Sequence, residues 1–463
     1  MERLKILDLI GHLSPKEKES VAFFLNSGFI SVKPELKNLF ENLMVQNGKY
    51  DKTVLWKAVF PTSKPDENKY RKLCHELLQT VELALAMQHL LLDEDKMQQQ
   101  LLGYYLENEL PVFFEQKIGK TRALNNSHHK IGSNRYLHQY QLEHQYFLYM
   151  QKQENIQSSL NISISSQSLD RFYCTQKLKY ICNSINYKAI LGKTEFIEFD
   201  TEVFSMIEKS ALKDDALIAI YYSIYQLQTN TENESIYPVV RQLLEQHAPD
   251  LEKPDLSDIL QYLINFCIKK INQSREAYLD ELFIIYTIYL QNVREKVFSP
   301  IRFKNIFLLA LKMKKFEWAE LFIDGYGGKL PLKVRETTIA YNKARLYYDT
   351  RQFDRVLDTL LHLQHDEVQF NLISKVLIVK TFYEKNEIQF LENYIQSFKA
   401  YILRNKEMNQ QNKKIHLNFL KMMKKLIRLE YASKDAIAKF KETIVSTENL
   451  PDKIWFLEKI ELL

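Results

Sequence analysis

A five-place apolar pattern, recurring at near-constant offsets, constrains this chain more than any other feature. Around 344–360 the sequence reads ARLYYDTRQFDRVLDTL, with Ala344, Tyr347, Phe353, Val356 and Leu360 in the five places. Thirty-five residues later the same places hold Val379, Phe382, Ile388, Leu391 and Ile395. Thirty-seven residues earlier they hold Phe307, Ala310, Phe316, Ala319 and Ile323. All fifteen are apolar, where a chain that is 46% hydrophobic would fill about seven. The pattern suits a helix, a tight turn and a second helix. The first helix offers a small or aromatic residue where its partner must approach, and the residue just after the turn wedges between them. One such hairpin cannot bury its own apolar face, so neighbouring hairpins must stack.

Glycine usage agrees. Ten glycines in 463 residues is about 2%, against the usual roughly 7%. Tight hairpins of sheets and phosphate-cradling loops both need glycine, because only glycine takes positive φ cheaply. The expected fold class is therefore all-α. From 169 onward the chain reads as helices of ten to twenty residues. Polar breaks fall near Gly192, 229–236, 248–255, 272–275, Pro300, 325–331, 349–352, 364–367, 384–387, 405–413 and Pro451. Residues 169–463 are expected to form a right-handed solenoid of stacked helical hairpins.

Residues 1–100 read as an N-terminal helical unit. Ser14-Pro15-Lys16-Glu17 combines a hydroxyl cap, a proline at the first helical position and a glutamate three residues after the cap. Further helices are expected after Pro34, across Leu55 to Val59, and after Asp66. Residues 101–168 read as a helical connector with a polar loop at NNSHHKIGSN. The NISISSQS segment (161–168) is compatible with a short strand but reads better as a second loop, with Ser168 capping the next helix. At the C-terminus, Ile454, Leu457, Ile460 and Glu461 fall three or four apart. This spacing predicts a last helix that folds back over the preceding pair, with Trp455 at least half buried.

The five-place pattern resembles the tetratricopeptide-repeat family, most clearly over 300–400 and more weakly over 169–300 and 413–463. Pro331, twelve residues after Ala319, stands where that family closes a repeat. Lys314, Arg351 and Asn386 replace the family's turn glycine, and two of the three closing prolines are missing. The resemblance implies degenerate repeats, a partner-binding surface and no transferable peptide-clamping residues. LDRFYCTQKLKYIC and the closing DKIWFLEKIEL also resemble uncharacterised helical-repeat proteins common in Bacteroidetes. That likeness implies a bacterial source and supplies no function.

The motifs that could carry chemistry are weak. Gly119-Lys120-Thr121 and Gly192-Lys193-Thr194 invite a phosphate-loop reading, which needs a glycine five residues upstream; Phe114 and Tyr187 stand there. His128, His129, His138 and His144 lack the i, i+4 spacing and the nearby cysteines of a metal site. The DGYGG run at 324–328 reads as a turn between hairpins. Cys74, Cys174, Cys182 and Cys267 contain no C-x-x-C pair, which suggests buried thiols in a reducing compartment. No metalloprotease or hydrolase signature occurs. The longest apolar runs span about nine residues, half of what a bilayer crossing needs. The reading is a cytoplasmic protein with no cofactor, no metal and no enzymatic activity.

Charge adds one candidate surface. Residues 399–428 hold nine Lys/Arg against Glu407 alone, a local +8 in a chain whose total is +5. Residues 117–152 hold six against Glu143. The leading expectation is a scaffold that binds a protein or peptide partner on its helical-repeat surface. The alternative is a regulator that binds nucleic acid or an acidic partner through these stretches. Lys413, Lys414, Lys421, Lys424, Lys425 and Arg428 are its candidate contacts.

Overall fold

A computed structural model describes residues 5–45, 51–127, 130–152, 161–191, 201–230, 232–293, 295–362, 368–429 and 432–463. The described residues form 23 α-helices and two short 3-10 turns, with no β-strand among them and one isolated bridge between Ile131 and Leu251. The all-α expectation holds. Packing separates two compact units, Met1–Glu252 and Lys253–Leu463.

The first unit opens with α1 (Lys5–His12), α2 (Pro15–Asn26), α3 (Pro34–Val45), α4 (Lys52–Val59) and α5 (Glu67–Leu92). Their starts are written in the sequence. The Ser14 hydroxyl accepts from the Glu17 N–H while the Glu17 carboxylate accepts from the Ser14 N–H at 2.7 Å, so two orphan donors are satisfied reciprocally. The Asp51 and Asp66 carboxylates cap α4 and α5 by accepting from two backbone N–H groups each, without the return bond. Leu25, Leu39, Phe40, Leu55, Trp56 and Leu77 meet in one core.

The unit continues through α6 (Glu94–Glu107), α7 (Pro111–Ser127), α8 (Ser133–Lys152), α9 (Ile162–Leu191), α10 (Thr201–Lys209), α11 (Ala216–Thr229) and α12 (Ile236–His247). Two expectations change here. Residues 162–168 are the first two turns of α9 rather than a loop with a cap at Ser168. Asn161 explains the change: its amide donates to the Glu143 backbone carbonyl at 3.0 Å and to the Glu143 carboxylate at 2.8 Å, and the Ser165 hydroxyl donates to the same carbonyl at 3.1 Å. Polar residues that would favour a loop in isolation are thus satisfied by α8. The described residues of the NNSHHKIGSN stretch are not all loop. Helix α7 runs to Ser127, and Ile131 exchanges two backbone hydrogen bonds with Asp250 and Glu252 at 2.7 and 2.8 Å. An added Cβ at Gly132 would meet the Glu252 side chain, which would have to shift to make room.

The second unit comprises α13 (Lys253–Asn272), α14 (Tyr278–Asn292), α15 (Pro300–Lys312), α16 (Phe316–Tyr326), α17 (Leu332–Asp349), α18 (Phe353–Leu360), α19 (Val368–Glu384), α20 (Ile388–Arg404), α21 (Gln410–Ile427), α22 (Lys434–Ser446) and α23 (Lys453–Glu461). Successive helices pack as neighbouring pairs, and α17 also packs against both α15 and α19. The third apolar place of the pattern, Phe316, Phe353 or Ile388, is the first residue of a helix each time. These three are partly buried, and the other twelve places are buried.

The turns repeat in detail. Lys314, Arg351 and Asn386 hold left-handed backbone, with φ of 57°, 60° and 58°. At each, the following N–H reaches back to the carbonyl five residues before it: Lys315 to Ala310 at 2.9 Å, Gln352 to Tyr347 at 2.7 Å, and Glu387 to Phe382 at 3.0 Å. The left-handed residue bonds the carbonyl three before it at 2.9, 3.0 and 3.0 Å. This paired bonding is the helix C-terminal motif that normally employs glycine. Ser274 (φ 65°) makes the same turn between α13 and α14, with Arg275 bonded to Lys270 at 3.0 Å. Four hairpins therefore share one turn built without glycine.

Candidate functional site

The basic residues of 399–428 lie at the end of α20 and along α21. Helix α21 is amphipathic. His416, Phe419, Leu420, Met422, Met423 and Leu426 are buried on one side. Lys414, Lys421, Lys425 and Arg428 are exposed, and their spacing of seven, four and three residues keeps them on one stripe about 21 Å long. Lys413 and Lys424, eleven residues apart, flank that stripe and are partly buried. Among the described residues none of the six forms an ion pair. In the 117–152 stretch Lys120, Lys130 and Lys152 are exposed, while its two arginines are engaged within the fold. Arg122 is bound bidentately by Glu143 at 3.0 and 2.6 Å, and Arg135 donates to the Asn125 side chain at 2.6 Å.

The Gly119-Lys120-Thr121 triplet sits inside α7, where backbone N–H groups serve the helix rather than a phosphate. Gly192-Lys193-Thr194 and the pair His128 and His129 lie outside the described residues. His138 is buried in α8, with its Nε2 3.8 Å from the Asp95 carboxylate; burial holds its pKa below the usual histidine value, and Asp95 works against that. His144 is exposed one helix turn and a half further on. Among the described residues no three His, Cys, Asp or Glu side chains come together as a metal-holding group. All four cysteines are buried and outside any disulfide, and burial pushes the Cys174 thiol up to about 11.

The most elaborate polar site was not expected from the sequence. It lies where α23 packs against α19 and α21, with α17 on the far side of the α19 polar residues. The α19 ammonium of Lys380, only 2% exposed, donates to the Asp452 carboxylate at 2.8 Å. Its Nζ lies 5.0 Å from the centre of the Tyr348 ring and 5.3 Å from that of Trp455. One turn along α19, the Glu384 carboxylate accepts from the Tyr348 hydroxyl at 3.1 Å, the Trp455 indole N–H at 2.8 Å and the Lys459 ammonium at 2.7 Å. On α17, Arg345 pairs with Asp349 at 3.3 Å. Desolvation sets the directions here. Burial lowers the Lys380 pKa against the pull of Asp452, and raises that of Asp349 against the pull of Arg345.

Apolar contacts complete the seat. Trp455 meets Tyr383 edge to face with ring centres 5.3 Å apart, and Phe456 meets Phe419 of α21 at 5.5 Å. Trp455 is 7% exposed and Phe456 fully enclosed, so the C-terminal helix folds back as its sequence predicts. The expected stripe is rotated, however. Ile454 is exposed, and Trp455, Phe456 and Ile460 face inward. The sequence signal for this site was a lysine and a glutamate four residues apart, Lys380 and Glu384, directly after the apolar run Val376–Val379.

Comparison with known proteins gives no matching family model, no similar curated protein and no similar solved structure. The geometry above carries the functional argument by itself. None of the described helices is long and apolar enough to cross a membrane.

Proposed function

We propose that the chain is a non-enzymatic scaffold that binds a protein partner's peptide on a surface of stacked helical hairpins. The observation that carries the reading is the shared turn at Ser274, Lys314, Arg351 and Asn386. Four hairpins closed in the same way, with α15, α17 and α19 packed side by side, suit a degenerate tetratricopeptide-like, right-handed solenoid. In such a stack the first helices of the pairs line one continuous surface, which is the usual seat for an extended or helical peptide. The cytoplasm is the compartment this reading adopts, in keeping with four cysteines outside any disulfide.

A second reading rests on the stripe of Lys414, Lys421, Lys425 and Arg428, exposed and without ion-pair partners among the described residues. It would serve an acidic protein or nucleic acid. Affinity capture from the native host, with chemical crosslinking and nuclease treatment, separates the two. The scaffold reading expects a protein partner crosslinked to α15, α17 or α19 and retained from 0.1 to 0.5 M salt. Capture that depends on nucleic acid and falls steeply with salt would contradict it.

A further inference from the structure

We propose that the outer face of α21 binds the phosphate backbone of double-stranded DNA without reading its sequence. The inference rests on the reading of the α21 stripe as a polyanion surface and names the partner of that surface. It leaves the peptide surface of α15, α17 and α19 to its own partner.

Three observations carry it. First, the face holds no acid. Every exposed residue from 410 to 428 is an amide or a cation: Gln410, Gln411, Lys414, Lys421, Lys425 and Arg428. The end of α20 and the turn after it add the exposed Arg404 and Lys406, against Glu407. Folding alone does not ask for this. Lys421 and Lys425 stand four apart and repel. Lys413 falls at the start of the helix, where the dipole disfavours a cation and no acid is present to offset it. A face of mixed charge would fold more readily, so the excess of cations serves a ligand and not the fold.

Second, the face lacks the anchors that other partners need. Among the described residues no large apolar side chain is exposed between Leu403 and Val445. A protein interface is centred on aromatic or apolar anchors. An anionic membrane takes up exposed apolar side chains, and a single strand stacks its bases on aromatic rings. Phosphate needs none of these, because lysine, arginine and amide N–H groups bind it directly. Duplex RNA is recognised through its 2′-hydroxyls as well, whereas a face distinguished by charge alone suits the uniform phosphate track of DNA. Third, the cations are presented on a fixed rod. His416, Phe419, Met423 and Leu426 hold the inner side of α21 in the core. The stripe of about 21 Å then runs along about six base pairs, at 3.4 Å of axis for each.

The test uses the purified full-length chain and fluorescence anisotropy with a labelled DNA duplex two helical turns long. Four cations on four phosphates should give micromolar affinity and a slope of about −3 to −4 in log K against log salt. Lys421→Gln/Lys425→Gln should weaken binding at least about fivefold and lower that slope by about 2. Lys120→Gln/Lys130→Gln removes the same charge from the first unit and should leave binding within about twofold. Circular dichroism should be unchanged in both, since all four lysines are exposed. A duplex of unrelated sequence should bind equally well. Equal losses for the two variants, an affinity indifferent to salt, or no binding to DNA at low salt would overturn the proposal. So would a clear preference for duplex RNA of the same sequence. Polyglutamate of matched charge should compete poorly. If it displaces the duplex as well as unlabelled DNA does, the DNA assignment fails while the polyanion reading stands; if neither polyanion binds, both fail.

Discussion

The hairpins of α15 to α20 and the α8–α9 pair hold themselves together in different ways. In the hairpins, apolar residues at fixed places do the work, and Phe307, Ala310, Ala319, Ala344, Val356, Val379 and Leu391 are all buried within a few per cent. In the α8–α9 pair, a buried carboxylate organises the junction. Glu143, 4% exposed, accepts from Arg122 twice and from the Asn161 amide, while its backbone carbonyl receives Asn161 and Ser165. Nearby, Asp215 caps α11 and also accepts from the Tyr136 hydroxyl at 2.8 Å and pairs with Arg171 at 2.9 Å. Repetition lets one short rule be used several times. A junction built from polar groups far apart in sequence is used once, and leaves no period behind.

That contrast can be tested at several strengths. The largest effect belongs to the C-terminal helix, whose inward residues pack on α19 and α21. Deleting 451–463 removes the buried Trp455, Phe456 and Ile460, a loss of about 5 kcal/mol at 1.5–3 kcal/mol for each side chain. Light scattering should show aggregation as the seat on α19 and α21 opens, and a monodisperse, equally stable product would contradict the packing described. Next comes the polar junction of the first unit. Glu143→Ala strands Arg122 and Asn161 together and should destabilise by about 3 kcal/mol, read as a lower thermal midpoint for the first unit. Glu143→Gln should lose less, because it keeps an acceptor for the Asn161 amide.

The smallest effect is a pH dependence. His416 is buried on the inner side of α21, and burial holds its pKa below the usual histidine value. The unfolded chain therefore binds a proton more readily than the folded one does. Stability from this residue is complete above the ordinary histidine range and declines as pH falls through and below it. His416→Leu should make the fall of the melting midpoint between pH 7.5 and 5.5 shallower. An unchanged slope would show that the imidazole is not held neutral by its surroundings.

Much of the fold was legible because helix starts and repeats are local. The Ser14 box, the Asp51 and Asp66 caps and the breaks at 272–275, 349–352 and 384–387 all stand where the sequence places them. Asn161 to Ser168 was not legible, because its helix depends on Glu143, eighteen or more residues away. The candidate site was legible only in part. The basic stripe of α21 follows from spacing alone. The Lys380–Asp452 pair joins residues 72 apart, and nothing local in either segment announces the other. Even the Trp455 face was half legible: the helix and its return were evident, but counting aliphatic residues put Ile454 inside and the aromatic pair at the edge. Ring burial reversed that choice, since the larger side chains remove more apolar surface from water.

The hairpin frame itself is tested most directly by two substitutions five residues apart in the chain, one inside a helix and one in the turn before it. Ala319 is fully buried where α16 meets its neighbours, and Lys314 holds the exposed left-handed turn before it. Denaturant midpoints should show Ala319→Leu destabilising the second unit by about 1–3 kcal/mol through overpacking. Lys314→Gly should stay near zero, because glycine relieves the left-handed backbone while loosening the unfolded chain. Equal losses for the two variants would contradict the frame on which the whole account of the repeats depends.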